Sequence, residues 1–137
     1  MKSSDVAVYG VTAQPQEEAD KAVTQLRLHY KTYGDPDHKL ATHLKDKGLL
    51  DVIIARQGDS RHPKVKDYKD GMAQPAVVVV NREGAVLYSF IVTPGLSNAY
   101  GATGRPNPKE VCQLIQAKLS GSTENVKMPS KYGVFKF

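Results

Sequence analysis

Asp5-Val-Ala-Val-Tyr-Gly-Val-Thr-Ala13, followed at once by Gln14-Pro-Gln-Glu-Glu-Ala19, is the stretch on which the fold class turns. The first half is a nearly continuous apolar run with β-branched residues, which predicts a buried strand. Pro15 suits the first turn of a helix, and Glu17 and Glu18 follow where the helix dipole favours acids. Ala19, Ala22, Val23, Leu26 and Tyr30 recur at helical spacing and mark one apolar face. A strand running directly into a helix opens an α/β unit.

Working outward, residues 30–34 predict a short edge strand. Asp35-Pro36 predicts the start of a second helix, with Asp35 as N-cap, Leu40, Ala41 and Leu44 as its stripe and Gly48 as its stop. Leu49 to Ala55 is a further strand candidate. Arg56 to Pro75 is a long polar stretch without periodicity, and such loops are uncommon inside compact domains. Ala76-Val-Val-Val-Val80 is the strongest strand signal, and its continuity predicts burial on both faces. Asn81-Arg-Glu-Gly84 supplies a hairpin turn, and Ala85 to Thr93 returns as partner strand. Pro94 to Pro108 is a second loop, containing Gly95, Gly101 and Gly104. Pro108 then opens a last helix with stripe Val111, Leu114, Ile115 and Leu119, ended by Gly121.

The order is that of an α/β domain with a mixed sheet, spanning residues 1–121, followed by a basic and aromatic tail over 122–137. A length of 137 residues suits a single core, and 40% hydrophobic with 24% charged residues is ordinary globular composition. No stretch approaches the roughly 20 apolar residues of a membrane span. The first residues show no signal-peptide pattern, and one cysteine excludes an intrachain disulfide. The expected compartment is the cytoplasm.

Charge is mildly positive: 19 Lys+Arg against 14 Asp+Glu, a net of +5. Arg56, Arg61, Lys64, Lys66 and Lys69 gather in the polar loop, and Lys127, Lys131 and Lys136 in the tail. Both runs read first as solvated surface. With Tyr68, Tyr132, Phe135 and Phe137 nearby they also raise a basic interaction protein for polyanions, but the aromatics are sparse and nucleic acid is disfavoured.

Taken together, Val6-Ala-Val-Tyr-Gly-Val-Thr-Ala-Gln-Pro-Gln-Glu-Glu-Ala19, Gly34-Asp-Pro-Asp-His-Lys-Leu-Ala41 and Ala73-Gln-Pro-Ala-Val-Val-Val-Val-Asn-Arg-Glu-Gly84 resemble the peroxiredoxin-like (AhpC/TSA, redoxin) branch of the thioredoxin superfamily. The resemblance covers roughly residues 5–120. It implies a thioredoxin-like mixed sheet with flanking helices and a cis peptide bond before Pro75, beside the active site. It also exposes a departure. The family's cysteine-bearing strand-loop-helix unit would precede Val6, and neither it nor the peroxidatic cysteine is found. The family's central strand is therefore missing or replaced, by residues 131–137, by a second subunit, or through truncation of the chain. Unpaired strand edges favour a homodimer.

The resemblance thus implies an oxidoreductase-related fold that has lost thiol-peroxidase chemistry and acts as a binding or regulatory module, or as a non-redox small-molecule protein. Thr12, Met72, Gln74 and Pro75 are expected to line a ligand cleft, with Tyr100 and Arg105 closing one side and Arg105 holding an anion. The alternative is a thiol-dependent oxidoreductase (antioxidant) using Cys112 or a cysteine in trans. Cys112 lies beside the apolar stripe of the last helix and reads rather as a small buried or half-buried hydrophobe. His29, His38, His43 and His62 lack metal-ligand spacing, so no metal and no cofactor are expected.

Overall fold

A computed structural model describes residues 6–58, 65–101 and 103–122. The architecture is α/β, with three α-helices and six short strands among the described residues. The strands form three separate two-stranded sheets among the described residues, not the single mixed sheet expected. Internal contacts divide the chain into Met1–Ala73 and Gln74–Phe137.

In the first unit, β1 (Tyr9–Thr12) and β2 (Lys31–Gly34) pair in parallel, joined by α1 (Gln16–Gln25). Gln16 fastens the helix to the strand: its Oε1 accepts from Gly34 N at 2.9 Å and its Nε2 donates to the Thr32 carbonyl at 3.0 Å. A side chain at Gly34 would collide with the backbone of Gln14, Pro15 and Gln16, so only glycine allows this approach. Ala19 of the expected stripe is buried, but Leu26 is exposed. The β1 strand is also not enclosed. Its residues alternate, and Tyr9 and Val11 face solvent.

The second helix, α2 (Lys39–Asp46), starts later than Asp35-Pro36 predicts. A turn intervenes, with His38 N donating to the Asp35 carbonyl at 3.1 Å. The Asp35 carboxylate still serves the helix start by accepting from Leu40 N and Ala41 N, each at 3.1 Å. His38 is buried, with φ at 54°, and its Nε2 lies 3.2 Å from the Asp70 carbonyl and 3.0 Å from that of Gly71. Facing two acceptors, Nε2 carries the proton, so His38 straps α2 to the turn before β4. Of the predicted strand over Leu49 to Ala55, only β3 (Ile54–Ala55) is extended, paired antiparallel with β4 (Met72–Ala73).

All three helices end alike. The N–H of Gly48 returns to the Lys45 carbonyl and that of Leu49 to Leu44; Gly121 and Ser122 repeat this with Lys118 and Ala117. Both glycines have positive φ, as this termination requires. At α1 the same place is held by Arg27, at φ 51°, with Arg27 N bonded to Thr24 and Leu28 N to Val23.

In the second unit, β5 (Ala76–Val80) and β6 (Val86–Ile91) form the expected hairpin. Asn81 builds its turn: the Oδ1 accepts from Glu83 N and Ala85 N, while Gly84 adopts φ 83°. A bulge at Leu87 shifts the register, and Lys118 Nζ donates to the Leu87 carbonyl. Helix α3 (Pro108–Ser120) has Asn107 as N-cap and Pro108 in its first turn. Val111, Leu114 and Ile115 pack with Tyr88 to form the core, flanked by Val79, Leu87 and Phe90. The β5 strand is not buried on both faces: Val77 and Val80 are exposed, and among the described residues the two-stranded sheet leaves β5 without a second neighbour.

Candidate functional site

The residues expected to line one cleft fall into different units. Thr12 ends β1, where its carbonyl accepts from Asp35 N at 2.7 Å, and Met72 pairs with Ala55 in β4. Gln74, Pro75, Tyr100 and Arg105 belong to the second unit. Within that unit, Gln74 and Arg105 meet the same loop.

Pro75 opens β5 in the ordinary way. Its peptide bond is trans, as are all those described, which corrects the expected cis bond. Trans is the default even before proline. Here the Pro75 carbonyl accepts from Val92 N at 2.9 Å, extending the hairpin ladder by one step.

The chain leaving β6 is organised by Asn98, which is buried. Its Oδ1 accepts from Gly95 N at 2.9 Å and Gly101 N at 3.0 Å, and its Nδ2 donates to the Thr93 carbonyl at 2.8 Å. One side chain thereby satisfies three backbone groups of a non-repetitive segment. Arg105 clasps the far end of the same loop. Its guanidinium donates to the carbonyls of Gly101, Thr103 and Gly104 at 3.1–3.2 Å, and burial lowers its pKa from the ordinary arginine value. An Arg105 so engaged is a loop clasp, which leaves the expected anion contact without geometric support. Tyr100 lies in the short 3-10 turn Leu96–Gly101, and its side chain is outside the described set.

Gln74 completes the arrangement. It is 2% exposed, and both its Oε1 and Nε2 are buried without a hydrogen-bond partner among the described residues. Its carboxamide lies over Gly101, where any β-carbon would collide with Oε1 and also touch Pro94. Gly101 has φ 93°, so both space and backbone demand glycine there. Phe90, Val92, Thr93, Asn98 and Gly104 border a hollow of about 360 Å³ along this loop. The structure thus brings both Gln74 and Arg105 to Gly101. Asn98 was not anticipated from sequence, though an asparagine among glycines after a strand is the usual mark of a side-chain-built loop.

Cys112 is exposed on α3, not buried or half-buried. It follows Val111, so it sits about 100° around the helix from the buried stripe. His29 and His43 are exposed, and His62 lies outside the described residues, as do Arg61, Lys64 and residues 123–137 with the tail's aromatics. Among the described residues no three His, Cys, Asp or Glu side chains gather as a metal site, and no helix is long and apolar enough to cross a membrane.

None of the protein-family models, curated proteins or solved structures compared with this chain matches it. The class defined is therefore structural: an α/β chain carrying a buried carboxamide, without a hydrogen-bond partner among the described residues, beside an asparagine-built loop.

Proposed function

We propose that this chain is a non-redox, small-molecule-binding protein of peroxiredoxin-like descent, with a ligand held at Gln74 and the loop from Thr93 to Arg105. The single observation supporting this most is the Gln74 carboxamide, buried with neither polar atom paired among the described residues. An unpaired buried polar group costs about 1–3 kcal/mol, and a ligand offering one donor and one acceptor removes that cost. The finer fold in this reading is thioredoxin-like, and the expected assembly is a cytoplasmic homodimer.

Gln74→Met tests it, because methionine keeps the length and apolar bulk while removing both orphaned atoms. The expected outcome is a protein more stable to urea by about 1–3 kcal/mol. The ligand test follows the side-chain NH2 signals of Gln74 by NMR against a panel of small amides and alcohols, which are expected to move them. If Gln74→Met destabilises the protein, the carboxamide is paired in solution and the reading loses its ground.

A second reading, thiol-dependent oxidoreductase, draws on the exposure of Cys112. Limiting hydrogen peroxide with a sulfenic-acid trap separates the two. Slow, sub-stoichiometric labelling supports the binding protein, and rapid stoichiometric labelling supports the oxidoreductase.

A further inference from the structure

The first unit carries a surface of different chemistry. The exposed positions of β1 and β2 alternate in step, so Tyr9 and Val11 share one face with their register partners Lys31 and Tyr33. The other face is occupied: Gly10 and Thr32 point towards the Tyr30 ring, and Gln16 of α1 bonds along β2. On the open face Tyr9 is 62% exposed and Tyr33 is 45% exposed, with ring centroids 6.1 Å apart and planes inclined at 40°. Rings at this spacing, uncovered on a flat sheet face, are available to flat partners.

The charge along the two strands and the segment that joins α1 to β2 has one sign. Neither residues 6–16 nor residues 21–34 contain an Asp or Glu, so both strands and the segment leading into β2 lack carboxylates. That segment supplies Arg27 and His29, both exposed, just before the exposed Lys31. The acids of α1 are drawn off elsewhere: Glu17 and Glu18 pair with Lys21, and Asp20 accepts from Gln16. A sheet face with two exposed tyrosines, a lysine opposite Tyr9 in register and no acid on either strand matches a ligand of stacked planar groups on a polyanionic backbone.

We propose that this face binds single-stranded nucleic acid, with bases stacking on Tyr9 and Tyr33 and Lys31 and Arg27 meeting phosphates. The site is separate from Gln74 and its loop, and stands or falls independently of them. A self-association face is the competing occupant, and its charge disfavours it, since a twofold copy adds a second Lys31 and neither strand supplies an acid to pair with it.

The test is fluorescence anisotropy of the full chain with a labelled oligothymidine and its oligouridine counterpart, across a salt series. Binding is expected with a Kd of roughly 10⁻⁴ to 10⁻⁶ M at physiological salt. Tyr9→Ala and Tyr33→Ala should each weaken it by roughly 5- to 150-fold. Lys31→Ala should flatten the slope of log K against log salt by about 0.7. Tyr9→Phe and Tyr33→Phe keep the ring and are expected to retain binding, which guards against loss through misfolding. The proposal is overturned by absence of binding at low salt, by binding indifferent to both alanine variants, or by phenylalanine variants that stay folded yet lose it. Self-association abolished by Tyr9→Ala, without oligonucleotide binding, overturns it in favour of a second copy.

Discussion

The β1–β2 pair and the β5–β6 pair each open on an apolar run containing several valines, Val6, Val8 and Val11 in one and Val77 to Val80 in the other, and end in opposite environments. The β5–β6 hairpin is closed locally by Asn81 and backed by α3, which seats Leu114 at 3% and Ile115 at 7% exposure against Tyr88. The β1–β2 pair is joined through a whole helix, and that helix buries only Ala19 while the strands' outer face keeps two tyrosines in solvent. Apolarity alone therefore does not decide burial. What decides it is whether an amphipathic partner is available for each face, and each of these sheets has one helix for two faces.

Truncation on either side should expose the contrast most strongly. Leu114→Ala removes a side chain from the second unit's core and should cost about 2–5 kcal/mol, read from urea unfolding. Val11→Ala, on the open face of β1, should fall within about 0.5 kcal/mol of the parent. If Val11→Ala proves as costly as Leu114→Ala, the face is covered in solution and the comparison between the two pairs breaks.

The same contrast explains how much could be read in advance. The order of strands and helices was legible because it depends on local signals: Pro15 before α1, Asn81 to Gly84 between β5 and β6, Gly48 and Gly121 after their helices. Local capping at α2 was legible in kind but not in place. The Asp35 carboxylate does serve the helix, yet a turn through His38 delays its start, and His38 is held there by carbonyls of residues 70 and 71. Faces were less legible, because an exposed Tyr9 and a buried Tyr88 differ only in what packs against them. Cys112 was misjudged by one helical position. Gln74 could be named but not weighed, since its burial depends on Gly101, distant in sequence, coming to lie against its carboxamide.

Helix ends sharpen the comparison at smaller cost. Where α2 and α3 close with glycine, α1 closes with Arg27 in the left-handed region, which disfavours a side chain. Arg27→Gly should therefore stabilise the first unit, by about 0.5–1 kcal/mol once glycine's greater freedom in the unfolded chain is set against relief of strain. The same change in the second unit has no site to act on, because Gly121 already stands there. Because Arg27 is also assigned a phosphate contact, the variant should be more stable while binding the oligonucleotide less well, a combination that simple loss of structure cannot mimic.

The smallest effect comes from Tyr88, whose phenol titrates above the ordinary tyrosine value of 10.0 because burial disfavours its charged form. In the unfolded chain the phenol ionises at its ordinary value; in the folded chain it resists. The contribution of Tyr88 is therefore fully present below pH 10.0, and is lost as pH rises through the folded pKa. The measurement is the melting temperature of parent and Tyr88→Phe between neutral pH and the alkaline limit of folding. Tyr88→Phe keeps the ring in the core with Leu114 and Ile115, so its curve should fall less steeply above pH 10 than the parent's. The other tyrosines titrate in both proteins and cancel in the difference. Parallel curves would mean that the Tyr88 hydroxyl reaches water from between β6 and α3. The second unit's core would then be as open at that edge as the face of β1 and β2.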